Sequence, residues 1–122
     1  QKTAYEIKEC DLEFRRVLFR SHYKCLENLF NHKYDIIIDD GDHLALSQLL
    51  TFKNLAPLLK ENGYYFIEDI GGAGGYPCAD GSYYNPHLLI EFKDEFYKTA
   101  EKYQLKAYTN KRPLILTRNN ID

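Results

Sequence analysis

The sequence predicts an α/β fold built on one parallel strand-helix-strand unit, and two observations support this prediction. First, two apolar segments each end in adjacent carboxylates, Y-D-I-I-I-D-D at Tyr34–Asp40 and Y-Y-F-I-E-D at Tyr64–Asp69. Second, the segment between them, Leu44–Leu59, has the length of a crossover helix, and the E-N-G sequence at 61–63 is typical of a helix stop. Such a crossover returns the chain to a parallel neighbour, so both strands should end at the same edge of the sheet.

The first of these strands is predicted to lie inside the sheet. Its Ile36–Ile38 run has no polar alternation, which is typical of a parallel strand that is covered on both faces. The Asp39–Asp40 pair at its end and the Glu68–Asp69 pair at the end of the next strand should stand roughly 5 Å apart, the spacing of neighbouring strands. Open α/β sheets bind their ligands at this edge.

The remaining elements follow from local patterns. His22–Phe30 suits the end of a helix, and the Gly-rich segment Gly71–Pro86 is interpreted as a long irregular loop. Asn85 suits the N-cap of a helix that starts at Pro86 and reaches about Tyr103, with apolar residues at helical spacing. A terminal β-hairpin is predicted from the last two apolar segments, Lys106–Thr109 and Leu114–Thr117.

The segment Gln1–Ser21 resembles a translated sequencing-library adapter more than natural protein. Its Q-K-T-A-Y-E-I start and its L-E-F-R-R-V-L-F-R-S end match the two ends of a common short-read adapter, in the right order. The alternative is a charged amphipathic helix, because Leu12, Val17 and Leu18 have partial helical spacing. We expect residues 1–21 to be an artefact that packs weakly and makes few contacts with Ile36–Ile38.

The rest of the chain, residues 22–122, has the size of one small domain, and we expect it to be part of a larger one. The full chain has 16 basic and 18 acidic residues and shows no basic stripe, so nothing indicates a nucleic-acid partner. Its apolar runs are strand length, far short of the ~20 residues that cross a membrane. The three cysteines lack C-x-x-C spacing, which fits a reducing compartment. We expect a soluble, cytoplasmic protein with a small-molecule substrate.

The carboxylates at the predicted sheet edge indicate a magnesium site. Mg²⁺ prefers oxygen ligands and keeps several waters, so two or three carboxylates from neighbouring strands can hold it. Asp40, Glu68 and Asp69 meet this requirement. The alternative is that these residues only cap the following helices and solvate the sheet edge. Two acidic clusters favour the metal, because crowded carboxylates repel one another. Without a cation, at least one of them should have a raised pKa or turn to solvent.

His43 is the candidate general base. It lies three residues after Asp40, where the chain leaves the strand, and a neutral imidazole there could take a proton from a substrate hydroxyl. The alternative is a histidine at a helix start that bonds only to backbone or water. The other histidines, His22, His32 and His87, have no acidic strand end beside them and are interpreted as surface or loop residues.

The G-G-A-G-G sequence at Gly71–Gly75 allows a phosphate-binding interpretation. A dinucleotide fingerprint, however, opens directly into a helix, whereas the helix predicted here starts only at Pro86. A flexible loop that shapes the substrate pocket is therefore favoured. Tyr76, Tyr83 and Tyr84 could line that pocket, or they could pack the loop onto the domain.

A family resemblance rests on the same segments. The chain resembles the macrocin O-methyltransferase and cephalosporin-hydroxylase-like family of class I S-adenosylmethionine-dependent methyltransferases. The pattern is D-I-I-I-D-D-G-D-H, then Gln48, Phe52, Leu55, Pro57 and Leu58, then N-G-Y-Y-F-I-E-D-I. The likeness extends from His22 to about Arg118. It implies that the sheet is the C-terminal half of a Rossmann-like methyltransferase fold, with a parallel βαβ unit, a helix and a terminal hairpin.

The resemblance also implies cofactors and residue roles. S-adenosylmethionine would be the methyl donor, Asp40, Glu68 and Asp69 would bind Mg²⁺, and His43 would be the general base. Family members often have a small residue between the glycine and the histidine, where this chain has Asp42. The glycine-rich turn and acidic residue with which class I methyltransferases bind their cofactor do not precede Tyr34, so no cofactor-binding residue is assigned.

These features together predict a Mg²⁺-dependent O-methyltransferase that acts on a hydroxyl of a sugar or other small metabolite, present here as a truncated fragment. Two alternatives stay open. One is a non-enzymatic binding module with a Rossmann-like fold. The other is a different acidic-edge α/β domain such as a phosphoacceptor receiver, which needs a lysine at the end of a later strand, and none follows Phe66–Asp69.

Overall fold

A five-stranded mixed sheet organises the part of the chain that the computed structural model describes, residues 4–8, 30–41, 43–71, 76–77, 79–81, 83–84 and 87–121. In chain order, the elements are β1 (Ala4–Lys8), β2 (Tyr34–Asp40), α1 (Ala45–Leu55), β3 (Leu59–Ile67), β4 (Tyr76–Pro77), β5 (Tyr83–Tyr84), α2 (Leu88–Glu91), α3 (Lys93–Lys102), β6 (Lys106–Tyr108) and β7 (Leu114–Thr117). The sheet order is β1-β2-β3-β7-β6, and β4 and β5 pair separately. This confirms the predicted α/β class and is compatible with a partial Rossmann-like fold.

The predicted parallel unit consists of β2, α1 and β3. Ile36 lies beside Tyr64 and Ile38 beside Phe66 in parallel register, so β2 and β3 end at one edge of the sheet. The helix ends earlier than predicted, at Leu55, and a short 3₁₀ turn that contains Pro57 follows it. Proline has no N–H to continue the helical hydrogen bonds, which explains the early end.

The predicted helix stop at 61–63 is wrong, because these residues lie within β3. The pairing with β2 is irregular here, since Tyr34 lies beside Leu59 but Ile36 lies beside Tyr64. A Cβ atom on Gly63 would stand 2.8 Å from the Asp35 carbonyl oxygen. The glycine therefore permits a close approach of two strands instead of ending a helix.

The predicted terminal hairpin is confirmed. Strand β7 pairs antiparallel with both β6 and β3, and Leu114 lies beside Ile67. The Thr117 hydroxyl donates a hydrogen bond of 2.9 Å to the Gly63 carbonyl oxygen. This register brings the turn between β6 and β7, residues 109–113, to the carboxyl end of β3.

The single helix predicted from Pro86 to Tyr103 is wrong, because Phe92 separates α2 from α3. Its backbone angles, φ −130° and ψ 31°, leave the helical region. The predicted N-cap, Asn85, lies outside the described residues, and α2 is capped by His87, whose Nδ1 accepts a hydrogen bond from the Leu89 N–H. The break allows Leu88 of α2 and Phe96 of α3 both to be fully buried.

Aromatic rings join the helices to the sheet. The Phe52 ring lies 5.1 Å from the Tyr65 ring, edge to face, and 5.1 Å from the Phe96 ring. All three side chains are 0% exposed. Such pairs contribute about 0.5–1.5 kcal/mol each beyond their buried area. The core therefore lies where α1, α3 and β3 meet.

Strand β1 differs from the expectation for the N-terminal segment. It pairs parallel with β2, with Ala4 beside Ile36 and Lys8 beside Asp40. The expectation of few contacts with Ile36–Ile38 is therefore wrong for Ala4–Lys8. An open edge of β2 offers backbone N–H and C=O groups that an extended segment can pair with. Residues 9–21 and residues 22–29 of the predicted first helix lie outside the described part, so the adapter origin stays a prediction.

The Gly-rich segment between β3 and α2 contains the ribbon of β4 and β5, in which Tyr76 lies beside Tyr84. Residues 72–75, most of the G-G-A-G-G sequence, lie outside the described part, and the pocket-lining role of the tyrosines stays a prediction. Among the described residues, none of the helices has the length and hydropathy needed to cross a bilayer.

Candidate functional site

The two carboxylates that end β2 have different surroundings. Asp39 is 1% exposed, and its Oδ1 accepts a hydrogen bond of 3.1 Å from the Gly41 N–H. Asp40 is partly exposed, at 30% of its side chain. Successive side chains of a strand point to opposite faces, which explains the difference. Asp39 therefore holds the turn after the strand, and Asp40 is partly open to solvent.

His43 brings the two strand ends together. Its Nε2 lies 3.3 Å from Asp69 Oδ2 and 3.9 Å from Asp40 Oδ1. Its backbone has a φ of 62°, in the left-handed region. Asp69 has a φ of 55° in the same region. This conformation costs a residue with a Cβ roughly 1 kcal/mol and is often found at functional sites.

Asp40, His43 and Asp69 offer a set of donors that could hold a divalent cation. One ligand atom from each lies within 4.8 Å of the others. The ligand oxygens of octahedral Mg²⁺, each about 2.1 Å from the ion, stand roughly 3 to 4 Å apart, so small side-chain rotations would suffice. Two carboxylates suit Mg²⁺, and the imidazole would also suit softer transition metals.

Glu68, the other predicted ligand, lies outside that group of three. Its backbone joins β2 to α1: the Glu68 N–H donates to the Asp39 carbonyl oxygen at 2.9 Å, and the Glu68 carbonyl oxygen accepts from Gln48 Nε2 at 3.2 Å. The side chain lines a neighbouring cavity. The structure thus brings together Asp40, His43 and Asp69, and the role of Glu68 as a metal ligand stays a prediction.

Gln48 is a residue that the sequence reasoning did not place at the site. It lies on α1 and is 1% exposed, and its amide holds the backbone at the point where β3 reaches the Glu68–Asp69 pair. The available signal was a polar residue among apolar ones on the buried face of a helix, since Leu49 and Phe52 are also buried. Buried polar groups of this kind normally have a hydrogen-bonding role.

Tyr65, a fully buried phenol on β3, is influenced by the charge of Asp39. Burial raises the pKa of Tyr65 well above its ordinary value, and the negative charge of Asp39 raises it further. The Tyr65 hydroxyl has no hydrogen-bond partner among the described residues. Tyr65 therefore stays protonated at all ordinary pH values, which excludes it as a general base.

A cavity of about 710 Å³ opens beside the carboxyl end of β3. This volume lies in the range of small-molecule sites. His87, interpreted from sequence as a surface or loop residue, is half-buried here and lines the cavity, whereas His32 is exposed as expected. The cavity is lined by the end of β3, the start of α2 and the turn before β7: Ile67, Glu68, Asp69, Ile70, His87, Leu89, Thr109, Lys111, Arg112, Pro113 and Leu114.

Two curated proteins of Streptomyces are similar to short stretches of this chain. The 8-demethyl-8-(2-methoxy-alpha-L-rhamnosyl)-tetracenomycin-C 3'-O-methyltransferase of Streptomyces olivaceus is 46% identical over 37 residues, 30% of this chain and 10% of that protein. The L-olivosyl-oleandolide 3-O-methyltransferase of Streptomyces antibioticus is 35% identical over 57 residues, 40% of this chain and 15% of that protein. The chain thus spans a small part of these relatives. No family model matches the sequence, and no solved structure matches it significantly.

Proposed function

We propose that this chain is part of an S-adenosylmethionine-dependent O-methyltransferase that uses Mg²⁺ and methylates a hydroxyl of a sugar or other small metabolite. The main support is the convergence of Asp40, His43 and Asp69 at the common edge of two parallel strands. The similarity to two O-methyltransferases that modify sugar-bearing molecules supports the same chemistry.

Asp40 and Asp69 would hold the cation, with Glu68 as the third carboxylate. A divalent cation at these groups lowers the pKa of a hydroxyl bound to it. The strained backbones of His43 and Asp69 support this assignment, because such strain persists only where the surrounding structure enforces it.

His43 would take the proton of the acceptor hydroxyl at Nε2. That nitrogen faces both carboxylates, and a proton placed there can be held by Asp69 Oδ2 at 3.3 Å. S-adenosylmethionine, when bound, supplies the electrophilic methyl group. His43 therefore provides the step that converts the hydroxyl into a better nucleophile, and Asp69 orients the ring.

The experiment is a methyl-transfer assay with the full-length protein that carries this domain, labelled S-adenosylmethionine and hydroxyl-bearing sugar acceptors. We expect transfer in Mg²⁺, loss of transfer in chelator and recovery when Mg²⁺ is restored. Full activity in chelator would remove the metal from the proposal. A protein that binds the cofactor but methylates none of the acceptors would favour the non-enzymatic binding module.

A further inference from the structure

Both acidic and basic residues line the cavity beside β3. Glu68 and Asp69 come from the end of β3, whereas Lys111 and Arg112 come from the turn between β6 and β7. The antiparallel register places Leu114 beside Ile67, so Arg112 and Asp69 each lie two residues beyond that pair, across the same edge. A ligand in the cavity therefore meets both carboxylate and cationic groups.

His87 offers a further donor in the same cavity. His87 Nδ1 accepts a hydrogen bond of 3.2 Å from the Leu89 N–H, so a neutral ring carries its proton on Nε2. The Thr109 hydroxyl lines the cavity beside the basic turn and can also donate. The remaining lining is largely apolar, from isoleucine, leucine and proline side chains. The polar groups can therefore fix the orientation of a ligand whose body packs on apolar surface.

We propose that the methyl acceptor carries an anionic group, a carboxylate or a phosphate, which binds at Arg112 with support from Lys111. This inference rests on the proposed function and names its substrate class. A guanidinium matches both anions because it forms two parallel hydrogen bonds with their oxygens. Asp69 belongs both to this cavity and to the group formed with Asp40 and His43, so the acceptor hydroxyl would lie near Asp69.

The charges of the lining favour one place for the anion. Glu68 and Asp69 would repel it and Arg112 would attract it, so its favoured place is the basic turn. The acceptor hydroxyl is neutral and tolerates the neighbouring carboxylates.

The test measures binding of three probes to the full-length protein that carries this domain, in Mg²⁺ and by calorimetry: D-glucuronate, glucose 6-phosphate and glucose. We expect at least one anionic sugar to bind about tenfold or more tightly than glucose, the scale of a hydrogen bond to a charged group. The two anionic probes distinguish a carboxylate from a phosphate ligand. Binding should weaken as salt is raised.

Arg112→Gln should remove about tenfold or more of the affinity for the anionic sugar while leaving glucose binding unchanged. Lys98→Gln is the matched control, because Lys98 is an exposed cation on α3, away from the cavity, and this variant should bind like the wild type. Arg112 is exposed, so its variant should keep the wild-type melting temperature.

Two results would overturn the inference: equal or absent binding of all three sugars by the wild-type protein, or unchanged anion binding in Arg112→Gln. Either result leaves methyl transfer standing, because that reaction needs only a hydroxyl at His43. Conversely, anion binding that depends on Arg112, in a full-length protein that transfers no methyl group, would refute the proposed function and keep the anion site.

Discussion

The aromatic core and the strand-end site both depend on β3, but their side chains have opposite surroundings. Phe52, Tyr65 and Phe96 are fully buried, and their rings pack edge to face or tilted. At the other region, His43 and Asp69 have positive φ, and Asp69 leaves 53% of its side chain exposed. Burial of the aromatic rings stabilises the fold in the first region. In the second region, the positive φ values and the neighbouring carboxylates lower that stability. A variant should therefore affect stability in one region and chemistry in the other.

The largest effect is expected for His43→Ala in the full-length enzyme. Loss of a general base should slow methyl transfer by roughly 10²–10⁴-fold. Binding of Mn²⁺, used as a spectroscopic substitute for Mg²⁺ and followed by electron paramagnetic resonance, should persist through the carboxylates.

Asp40→Asn should instead weaken Mn²⁺ binding, and excess Mg²⁺ should partly restore the methyl-transfer activity of this variant.

The control for this pair is Asp94→Asn, which removes an exposed carboxylate from the first turn of α3. It should change neither metal binding nor turnover. Unchanged turnover in His43→Ala would eliminate the histidine base. Wild-type Mn²⁺ affinity in Asp40→Asn would eliminate Asp40 as a ligand.

The core should respond in stability. Phe52→Ala removes the ring that contacts both Tyr65 and Phe96, and we expect a loss of about 3–5 kcal/mol in the free energy of unfolding, measured with denaturant. Leu46→Ala is the matched control on the same helix, because Leu46 is 51% exposed, and its effect should stay within about 0.5 kcal/mol. Similar losses in the two variants would contradict the proposed location of the core.

Alkaline pH should weaken the core through Tyr65. Burial, with a contribution from Asp39, raises its folded pKa well above the ordinary value. Above about pH 10 the unfolded chain releases this proton while the folded chain keeps it, so stability falls as pH rises, by up to ~1.4 kcal/mol per pH unit. Below that pH, this contribution is fully present.

Denaturant unfolding at pH 8 and pH 10.5 measures this effect. Tyr65→Phe should lose less stability between the two pH values than the wild type, because it has no buried phenol to ionise. The control is Tyr97→Phe, since Tyr97 is 38% exposed and should leave the wild-type dependence intact. Equal pH dependence in wild type and Tyr65→Phe would argue against the raised pKa.

The smallest effect is expected from relief of strain at the site. Asp69→Gly should raise stability in chelator by about 1 kcal/mol, because glycine adopts positive φ freely and the charge beside Asp40 is lost. Gln104→Gly is the control, as Gln104 has a φ of 59° outside the site. It should gain less, because no charge repulsion is relieved. A less stable Asp69→Gly variant would show that the contact with His43 outweighs the strain.

Local patterns were sufficient to predict β2, the terminal hairpin and the acidic strand ends. An uninterrupted Ile36–Ile38 run indicates a buried strand without knowledge of its neighbours, and the turn before Leu114 is encoded by nearby residues. The position of His43 three residues after Asp40 was likewise visible, because a short connection keeps the two groups close. Such features depend on contacts within a few residues.

Tertiary packing decided the features that the patterns missed. Asp39 and Asp40 look equivalent in the sequence. Their side chains point to opposite faces of β2, and the packing of the sheet buries Asp39 but leaves Asp40 partly exposed. In the sequence, Gly63 is equally compatible with a helix stop and with a close contact between strands. Its position against the Asp35 carbonyl oxygen identifies the strand contact. The cavity joins His87 and Arg112 to the end of β3, although they lie far apart in the chain. The periodicity of a sequence shows which face of a helix or strand is apolar. Which other element packs against that face depends on contacts between residues far apart in the chain.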